Sequence, residues 1–288
     1  SPIDPPQERP FYGGVRRLKK RDFVLVIVET ADGEVGYAPA GASASAMREY
    51  FEDASQAAFA ELLTEQVGPA LADARIEEIP DAHQAIRDLD LPPLLKSQAI
   101  SAVDVALHDI RGKRLGAPIY ELLGDDDVAT TTTLDLYASA GMYMEPEGYA
   151  DQAATLRDCG FVGYKYRPGI GPAGDRETFD RLVEVSGDMG VMADAHLWWK
   201  LPDGYSEDVV RDIVTEWADD ADWIEEPVAA DDYDGYRSLA ETGAALAGGE
   251  SEESADGLID LAETGAVSFL QGDVRHHEGY TGCLSAVE

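Results

Sequence analysis

The feature that most constrains the fold of this chain is an alternation of short apolar runs with helical stretches after residue 130. Six such runs occur, and about 12–20 residues with helical spacing lie between most of them. Strand and helix repeats of this length predict βαβ units and a parallel sheet, either doubly wound or closed into a (β/α)8 barrel. The runs are residues 133–138, 161–166, 190–195, 223–228, 244–248 and 267–271.

The part of the chain before this alternation has a different pattern. Residues 23–30 form an apolar run, residues 31–33 a turn and residues 34–37 a returning run, which predicts a β-hairpin. Helical spacing then covers residues 49–74, 77–90 and 94–123, with a break in the last helix at residues 116–118. We therefore predict an α+β domain over residues 1–126 and a (β/α) domain over residues 127–288. A barrel closes with eight strands, so six strands predict an incomplete one.

The charge of the chain excludes several classes of partner. It has 22 Lys and Arg against 57 Asp and Glu in 288 residues, a formal net charge of −35. Nucleic acids and anionic membranes are bound by basic surfaces, so neither is expected as a partner. Because 44% of the residues are apolar, the chain can build a core despite this charge. Acidic residues spread along the whole chain are typical of proteins from salt-adapted halophiles.

The cysteines and the apolar runs set further limits. Cys159 and Cys283 are too few and too far apart for a disulfide framework or a zinc motif. No apolar run is long enough for a membrane span or a signal peptide. These observations predict a soluble cytoplasmic protein.

Ionisable residues follow five successive predicted strands, at the end where parallel α/β folds place their ligands. From the second strand to the sixth they are Lys165 and Arg167, Asp194 and His196, Glu225, Glu250, and Asp273.

Three of these residues predict a metal site. Glu225 follows Asp194 by 31 positions and Glu250 follows Glu225 by 25, each about one βα unit, so the three carboxylates end neighbouring strands. Such groups repel each other unless a cation lies between them, and hard oxygen ligands suit Mg²⁺. The alternative is that these acids occupy surface loops of a very acidic chain.

Residues 98–124 and the ordered set of strand-end motifs resemble the enolase superfamily, in its mandelate racemase / muconate lactonizing enzyme branch. The resemblance implies an α+β capping domain that lacks its first strand, followed by a TIM-type (β/α) barrel with six of eight strands visible. It also implies metal-ligand roles for Asp194, Glu225 and Glu250. Asp273 matches an Asp that, in many members, orients a catalytic His one strand later.

Departures from the family pattern refine the expected chemistry. Many members have Lys-x-Lys on the second strand, whereas this chain has Lys165 and Arg167; arginine stays protonated and suits a carboxylate clamp better than a base. The form Asp194-Ala195-His196 resembles the acid-sugar dehydratases of the family, in which this His is a general acid. The Gly-Gly of the family after the sixth strand is replaced here by residues 278–281, Glu-Gly-Tyr-Thr.

The resemblance thus implies a Mg²⁺-dependent dehydratase that converts a sugar acid to a 2-keto-3-deoxy sugar acid. The expected base is a His beyond Glu288, with Lys165 as the visible alternative. Tyr143 and His276 are further substrate-binding candidates beside Lys165 and Arg167, and we expect a homo-oligomer. The alternatives are a racemase, epimerase or cycloisomerase of the same superfamily, or a non-catalytic binding homologue.

Overall fold

A computed structural model describes residues 2–11, 14–20, 23–41, 56–124, 131, 133–142, 144–201 and 203–287, with side chains from residue 23 onward. The chain divides into two compact units. One comprises Ser1–Arg21, Thr133–Ser251 and Leu261–Gln271; the other comprises Asp22–Thr132, Glu252–Asp260 and Gly272–Glu288. The domain boundary predicted at residue 126 stays a prediction.

Two antiparallel hairpins begin the chain. Strands β1 (Pro2–Phe11) and β2 (Gly14–Lys20) form the first hairpin, and β3 (Val24–Glu29) and β4 (Val35–Ala40) form the second. The second hairpin is the one predicted from the apolar runs at residues 23–30 and 34–37. Gly33 has a φ of 88° in its turn, a conformation that favours glycine.

Helices of the second unit follow this hairpin. They are α1 (Gln56–Leu62), a π-helical segment (Leu63–Val67), α2 (Gly68–Asp73), α3 (Ile79–Arg87), α4 (Pro93–Leu115) and α5 (Ile119–Leu123). The break predicted at residues 116–118 is confirmed, because Gly116 ends α4 in the left-handed conformation with a φ of 65°. Residues 49–55 of the first predicted helix lie outside the described residues. None of the described helices is long and apolar enough to cross a membrane.

The first unit contains a six-stranded parallel sheet whose strand order follows the chain order. A doubly wound sheet reverses its order at a switch point, so this order selects the barrel-type alternative. The strands are β5 (Tyr137–Met142), β6 (Gly163–Arg167), β7 (Gly190–Asp194), β8 (Trp223–Glu225), β9 (Leu246–Gly248) and β10 (Phe269–Leu270).

The first strand of this sheet starts at Tyr137, whereas the sequence pattern predicts a start at Thr133. Leu134 and Leu136 are 74% and 63% exposed, and the register with β6 begins where Tyr137 pairs with Gly163. Before Tyr137, one backbone hydrogen bond links this segment to the neighbouring one, from the Val162 N–H to the Leu136 carbonyl at 2.9 Å, and the paired register starts only at Tyr137.

Helices connect the strands in βαβ fashion. They are α6 (Pro146–Asp158), α7 (Pro172–Ser186), α8 (Leu197–Lys200), α9 (Glu207–Trp217), α10 (Tyr233–Ala240) and α11 (Ala255–Glu263). Tyr164 and Tyr166 of β6 are fully buried in the core, and Tyr166 contacts Tyr149 of α6. Because side chains alternate along a strand, Lys165 and Arg167 point to the opposite face of β6.

Helix α12 (Gly279–Ser285) belongs to the second unit and is held by a buried carboxylate of α4. Asp104 accepts hydrogen bonds from the Tyr280 backbone at 2.7 Å and from the Thr281 hydroxyl at 2.5 Å. Its other partners are the buried rings of His83, at 2.9 Å, and His108, at 3.2 Å. Burial opposes ionisation, but these hydrogen bonds outweigh it and hold the pKa of Asp104 well below its usual value.

Candidate active site

The register of the parallel sheet brings two of the predicted metal ligands together. Asp194 is the last residue of β7 and pairs directly with Glu225, the last residue of β8. Glu225 pairs in turn with Ala247 of β9, three residues before Glu250. The carboxyl ends of three adjacent strands therefore present three acids at one edge, as their spacing in the sequence predicts.

Glu225 is 1% exposed, and its charge is neutralised by Lys165 of β6, two strands away in the sheet. The Nζ atom of Lys165 donates to its two carboxylate oxygens at 2.9 and 2.7 Å, and the amide of Gln271 donates to Oε2 at 2.9 Å. Burial by itself would lower the pKa of Lys165, but attraction to Glu225 outweighs it and raises that pKa. Lys165 is therefore held as a cation.

Asp194 is 2% exposed and is bound by an arginine and a histidine. Arg167 donates from Nε to Oδ2 at 2.7 Å, and Nδ1 of His196 lies 2.6 Å from Oδ1. Burial alone would raise the pKa of Asp194, but His196 and Arg167 outweigh that effect and lower it. An ionised carboxylate can only accept, so Nδ1 of His196 carries the hydrogen in this pair.

Glu250 keeps an exposed surface at the end of its strand, but neighbouring groups remove part of its hydration and surround it with negative charge. Loss of hydration raises the pKa of Glu250, and the carboxylates of Asp194, Glu225 and Glu226 raise it further. The Glu250 carboxylate is therefore repelled by the neighbouring carboxylates, and a bound divalent cation would reduce this repulsion.

The oxygen donors of Asp194, Glu225 and Glu250 fit Mg²⁺ by their chemistry, since this ion prefers a small number of carboxylates together with water or substrate oxygens. Among the described residues, however, no three or more His, Cys, Asp or Glu side chains form a closed cluster that could hold a metal. In this arrangement Lys165 and Arg167 bind carboxylate oxygens of Glu225 and Asp194 that a metal would use.

Gln271 is the contact of this site that sequence reasoning missed. It lies at the carboxyl end of the sixth strand and is polar but not ionisable. A polar side chain at a strand end is the signal in the sequence that indicates this contact.

Asp273 belongs to the other unit, and it is bound there by a neighbour in sequence. Arg275 donates from Nη2 to Oδ2 at 2.6 Å and from its backbone to Oδ1 at 2.8 Å. Burial opposes ionisation of Asp273, but the hydrogen bonds from Arg275 lower its pKa. The predicted partner, a His one strand later, stays a prediction.

His276 and His277 have different environments in this unit. Nδ1 of His276 lies 3.3 Å from the Gln98 amide, and burial lowers the pKa of His276. His277 is fully buried; Nδ1 accepts from the Asp273 backbone at 2.8 Å and Nε2 donates to the Glu252 carbonyl at 3.0 Å. Both ring nitrogens of His277 are thus engaged with backbone, which supports a structural role. Tyr143, the other substrate-binding candidate, lies outside the described residues.

Comparison with known families agrees with this architecture. Residues 3–124 match the N-terminal domain of the mandelate racemase / muconate lactonizing enzyme family, and residues 148–288 match the enolase C-terminal domain-like family. Together these matches cover most of the chain.

Two relatives have names that refer to sugar-acid derivatives. The chain is 30% identical over 282 residues to a D-galactarolactone cycloisomerase of Agrobacterium fabrum, a match that covers 93% of the chain and 68% of the relative. It is 33% identical over 193 residues to a Caldivirga maquilingensis protein provisionally named L-rhamnonate dehydratase, covering 64% of the chain. The chain spans 44% of the length of this second relative, and about half of the length of other curated relatives that it matches.

A solved structure shares the fold and holds a metal. It is a mandelate racemase/muconate lactonizing enzyme from a marine actinobacterium in complex with magnesium, with a TM-score of 0.73 and 26% sequence identity. The similarity covers 98% of this chain and 76% of that one.

Proposed function

The chain belongs to the enolase superfamily, and on this premise we propose that it is a Mg²⁺-dependent sugar-acid dehydratase, a lyase. In the proposed reaction, the base is the histidine expected one strand after Asp273, and it removes the proton on the carbon next to the substrate carboxylate. The hydroxyl on the neighbouring carbon leaves with a proton from the enzyme, as water, and the resulting enol tautomerises to a 2-keto-3-deoxy sugar acid.

The observation that carries this proposal is the pairing of His196 with Asp194. The carboxylate fixes the ring through Nδ1 at 2.6 Å, so a second proton, carried on Nε2, would be the one that the ring gives to the leaving hydroxyl. His196 is only partly buried, so a substrate can approach its ring. A positioned general acid of this kind contributes about 10²- to 10⁴-fold to a rate.

The two cations of β6 supply the complementary charge. Lys165 and Arg167 are both held protonated by carboxylates, so in this arrangement they stabilise negative charge on substrate oxygens and do not accept the proton. Bound by Asp194, Glu225 and Glu250, Mg²⁺ would supply further positive charge for the substrate carboxylate. The magnesium complex of the marine actinobacterial relative supports this assignment.

The test is a reaction of the purified protein, made from its whole gene, with Mg²⁺ and a panel of five- and six-carbon aldonic and aldaric acids in D₂O. We expect mass spectrometry to show loss of one water, and NMR to show loss of the β-hydroxyl carbon signal, for at least one acid. A parallel reaction in EDTA should show neither change. If no acid in the panel loses water, the dehydratase proposal is wrong.

Cycloisomerisation is the second candidate, since the Agrobacterium relative has that name. It starts from the same proton removal, but a ring oxygen leaves and remains in the molecule, so substrate and product have equal mass. A lactone substrate that isomerises without loss of water would favour it. Deuterium exchange at the α-carbon with neither outcome would favour racemisation or epimerisation.

A further inference from the structure

Glu226, which directly follows Glu225 at the end of β8, has an unusual backbone and a buried side chain. It is 3% exposed and has a φ of 45°, in the left-handed region that residues other than glycine seldom adopt. Strain of this kind persists only where the surroundings fix the residue, and it often occurs at functional sites.

The side chain of Glu226 binds the segment that follows β9. Its Oε1 accepts from the backbone N–H of Ser251 at 2.7 Å, and its Oε2 accepts from the Ser251 hydroxyl at 2.7 Å. Lys200 contacts both residues: its Nζ atom donates to the Ser251 hydroxyl at 2.8 Å and lies 3.6 Å from Oε2 of Glu226. Ser251 is thus held at two atoms by one carboxylate.

The backbone of Glu226 is fixed from two further directions. Its N–H donates to the carbonyl of Ala247 in β9 at 2.9 Å, and its carbonyl accepts from the indole of Trp199 at 3.0 Å. Glu226 therefore joins the segments that follow strands β7, β8 and β9.

Glu250 lies between Gly249 and Ser251 in the sequence. Gly249 has a φ of 119°, a conformation open almost only to glycine, so the chain before Glu250 has little intrinsic stiffness. The two hydrogen bonds from Ser251 to Glu226 restrain the backbone on the other side of Glu250.

We propose that Glu226 is a positioning residue that holds Ser251, and thereby orients the Glu250 carboxylate toward Asp194 and Glu225 for metal binding. This inference rests on the proposed magnesium site. Glu226 itself uses both of its oxygens on Ser251, so it acts through Glu250 and is not assigned as a ligand. Groups that orient metal ligands typically contribute about 10- to 100-fold to metal affinity.

The test is titration of the purified chain with Mg²⁺ alone, by isothermal calorimetry without substrate. We expect Glu226→Ala to raise the Kd about 10- to 100-fold, and Glu226→Gln to raise it less, because the amide oxygen can still accept from the Ser251 backbone. Glu184→Ala, which removes an exposed glutamate of α7, is the matched control and should leave the Kd unchanged. Amide hydrogen exchange of Ser251 should be faster in Glu226→Ala with and without Mg²⁺.

The other possible results distinguish failure of this inference from failure of the proposed function. A folded Glu226→Ala variant with the Kd of the unsubstituted chain would overturn this inference and leave the proposed metal site intact. If Glu226→Ala does not fold, Ser251→Ala, which deletes only the hydroxyl contact, should still weaken Mg²⁺ binding several-fold, and an unchanged Kd would overturn the inference. Failure of the unsubstituted chain to bind Mg²⁺ would overturn the proposed function and this inference together.

Discussion

Lys165 donates to both carboxylate oxygens of Glu225, at 2.9 and 2.7 Å, in a place where the glutamate is 1% and the lysine 8% exposed. The partners are 60 positions apart in the sequence and meet because β6 and β8 lie on either side of β7. This ion pair is therefore a product of the sheet order, and its loss would leave a buried charge.

We predict that Lys165→Met destabilises the metal-free chain by about 3–5 kcal/mol, because removal of one partner leaves the other charge buried without its counterion. Urea unfolding in EDTA measures this loss. Lys113→Met is the control, since Lys113 pairs with Asp109 at the surface, where such a pair contributes about 0–1 kcal/mol. Mg²⁺ should restore more stability to Lys165→Met than to the unsubstituted chain. Equal losses in the two variants would contradict this prediction.

For the proposed general acid, we predict that His196→Asn lowers the rate of water loss about 10²-fold or more. Exchange of the α-proton for deuterium should continue, because that step does not use this residue. Parallel NMR measurements of exchange and elimination in D₂O separate the two rates. An unchanged elimination rate would show that His196 is not the acid.

Removal of Glu250 should stabilise the metal-free chain at neutral pH. The pKa of Glu250 is raised in the folded state, so the unfolded chain ionises it more readily, and this ionisation lowers stability as pH rises above the usual value of 4.5. Glu250→Gln should therefore have a higher Tm than the unsubstituted chain in EDTA at pH 7, and the same Tm below pH 4.5.

The same variant should lose the increase in Tm that Mg²⁺ gives the unsubstituted chain. Glu253→Gln, which changes an exposed glutamate close by in the sequence, is the matched control and should keep it. A Glu250→Gln variant that responds fully to Mg²⁺ would remove Glu250 from the metal site.

Asp194 should have the opposite pH dependence. Its pKa is lowered in the folded state, so its contribution to stability is complete above the usual value of 3.8 and is lost as pH falls through the lower folded-state pKa. Asp194→Asn should therefore lose less stability than the unsubstituted chain between about pH 5 and about pH 2. Urea unfolding across this range tests the prediction. Equal losses in the free energy of unfolding of the two proteins between these pH values would refute it.

Asp175 of α7 should be a strong determinant of stability, although it is not among the predicted site residues. It is fully buried and accepts from the backbone of Gly169 and Ile170 and from the side chains of Trp198 and Tyr205. It thus joins the segment after Arg167 to the segment after His196.

Asp175→Ala leaves these donors without their acceptor, at about 1–3 kcal/mol for each buried group that stays unpaired. We expect a loss of about 3 kcal/mol or more in the free energy of unfolding. Asp180→Ala, an exposed change on the same helix, should alter it by less than about 0.5 kcal/mol. Similar losses in both variants would show that the contacts of Asp175 contribute little.

The strand order and the positions of the strand-end acids could be predicted from the sequence, because parallel βα units repeat at a regular length. Asp194 and Glu225 meet in register for this reason. The start of β5 could not, since Leu134 and Leu136 have the apolar pattern of a strand whether or not a neighbouring strand pairs with them.

The pairing within the site was also beyond sequence reasoning. Nothing local indicates that Lys165 binds Glu225 while Arg167 binds Asp194, because both choices place opposite charges together. The partner of Asp273 shows the same limit, since a flexible arginine two positions away competes with any distant histidine.

The ion pairs of Lys165 and Arg167 also bear on the order in which the protein matures. Zinc fingers stay unfolded until metal arrives, because their ligands have no other way to satisfy their charge. In this chain the lysine and arginine of β6 already neutralise Glu225 and Asp194, so folding need not wait for a divalent ion. We therefore expect the chain to fold in the absence of added metal.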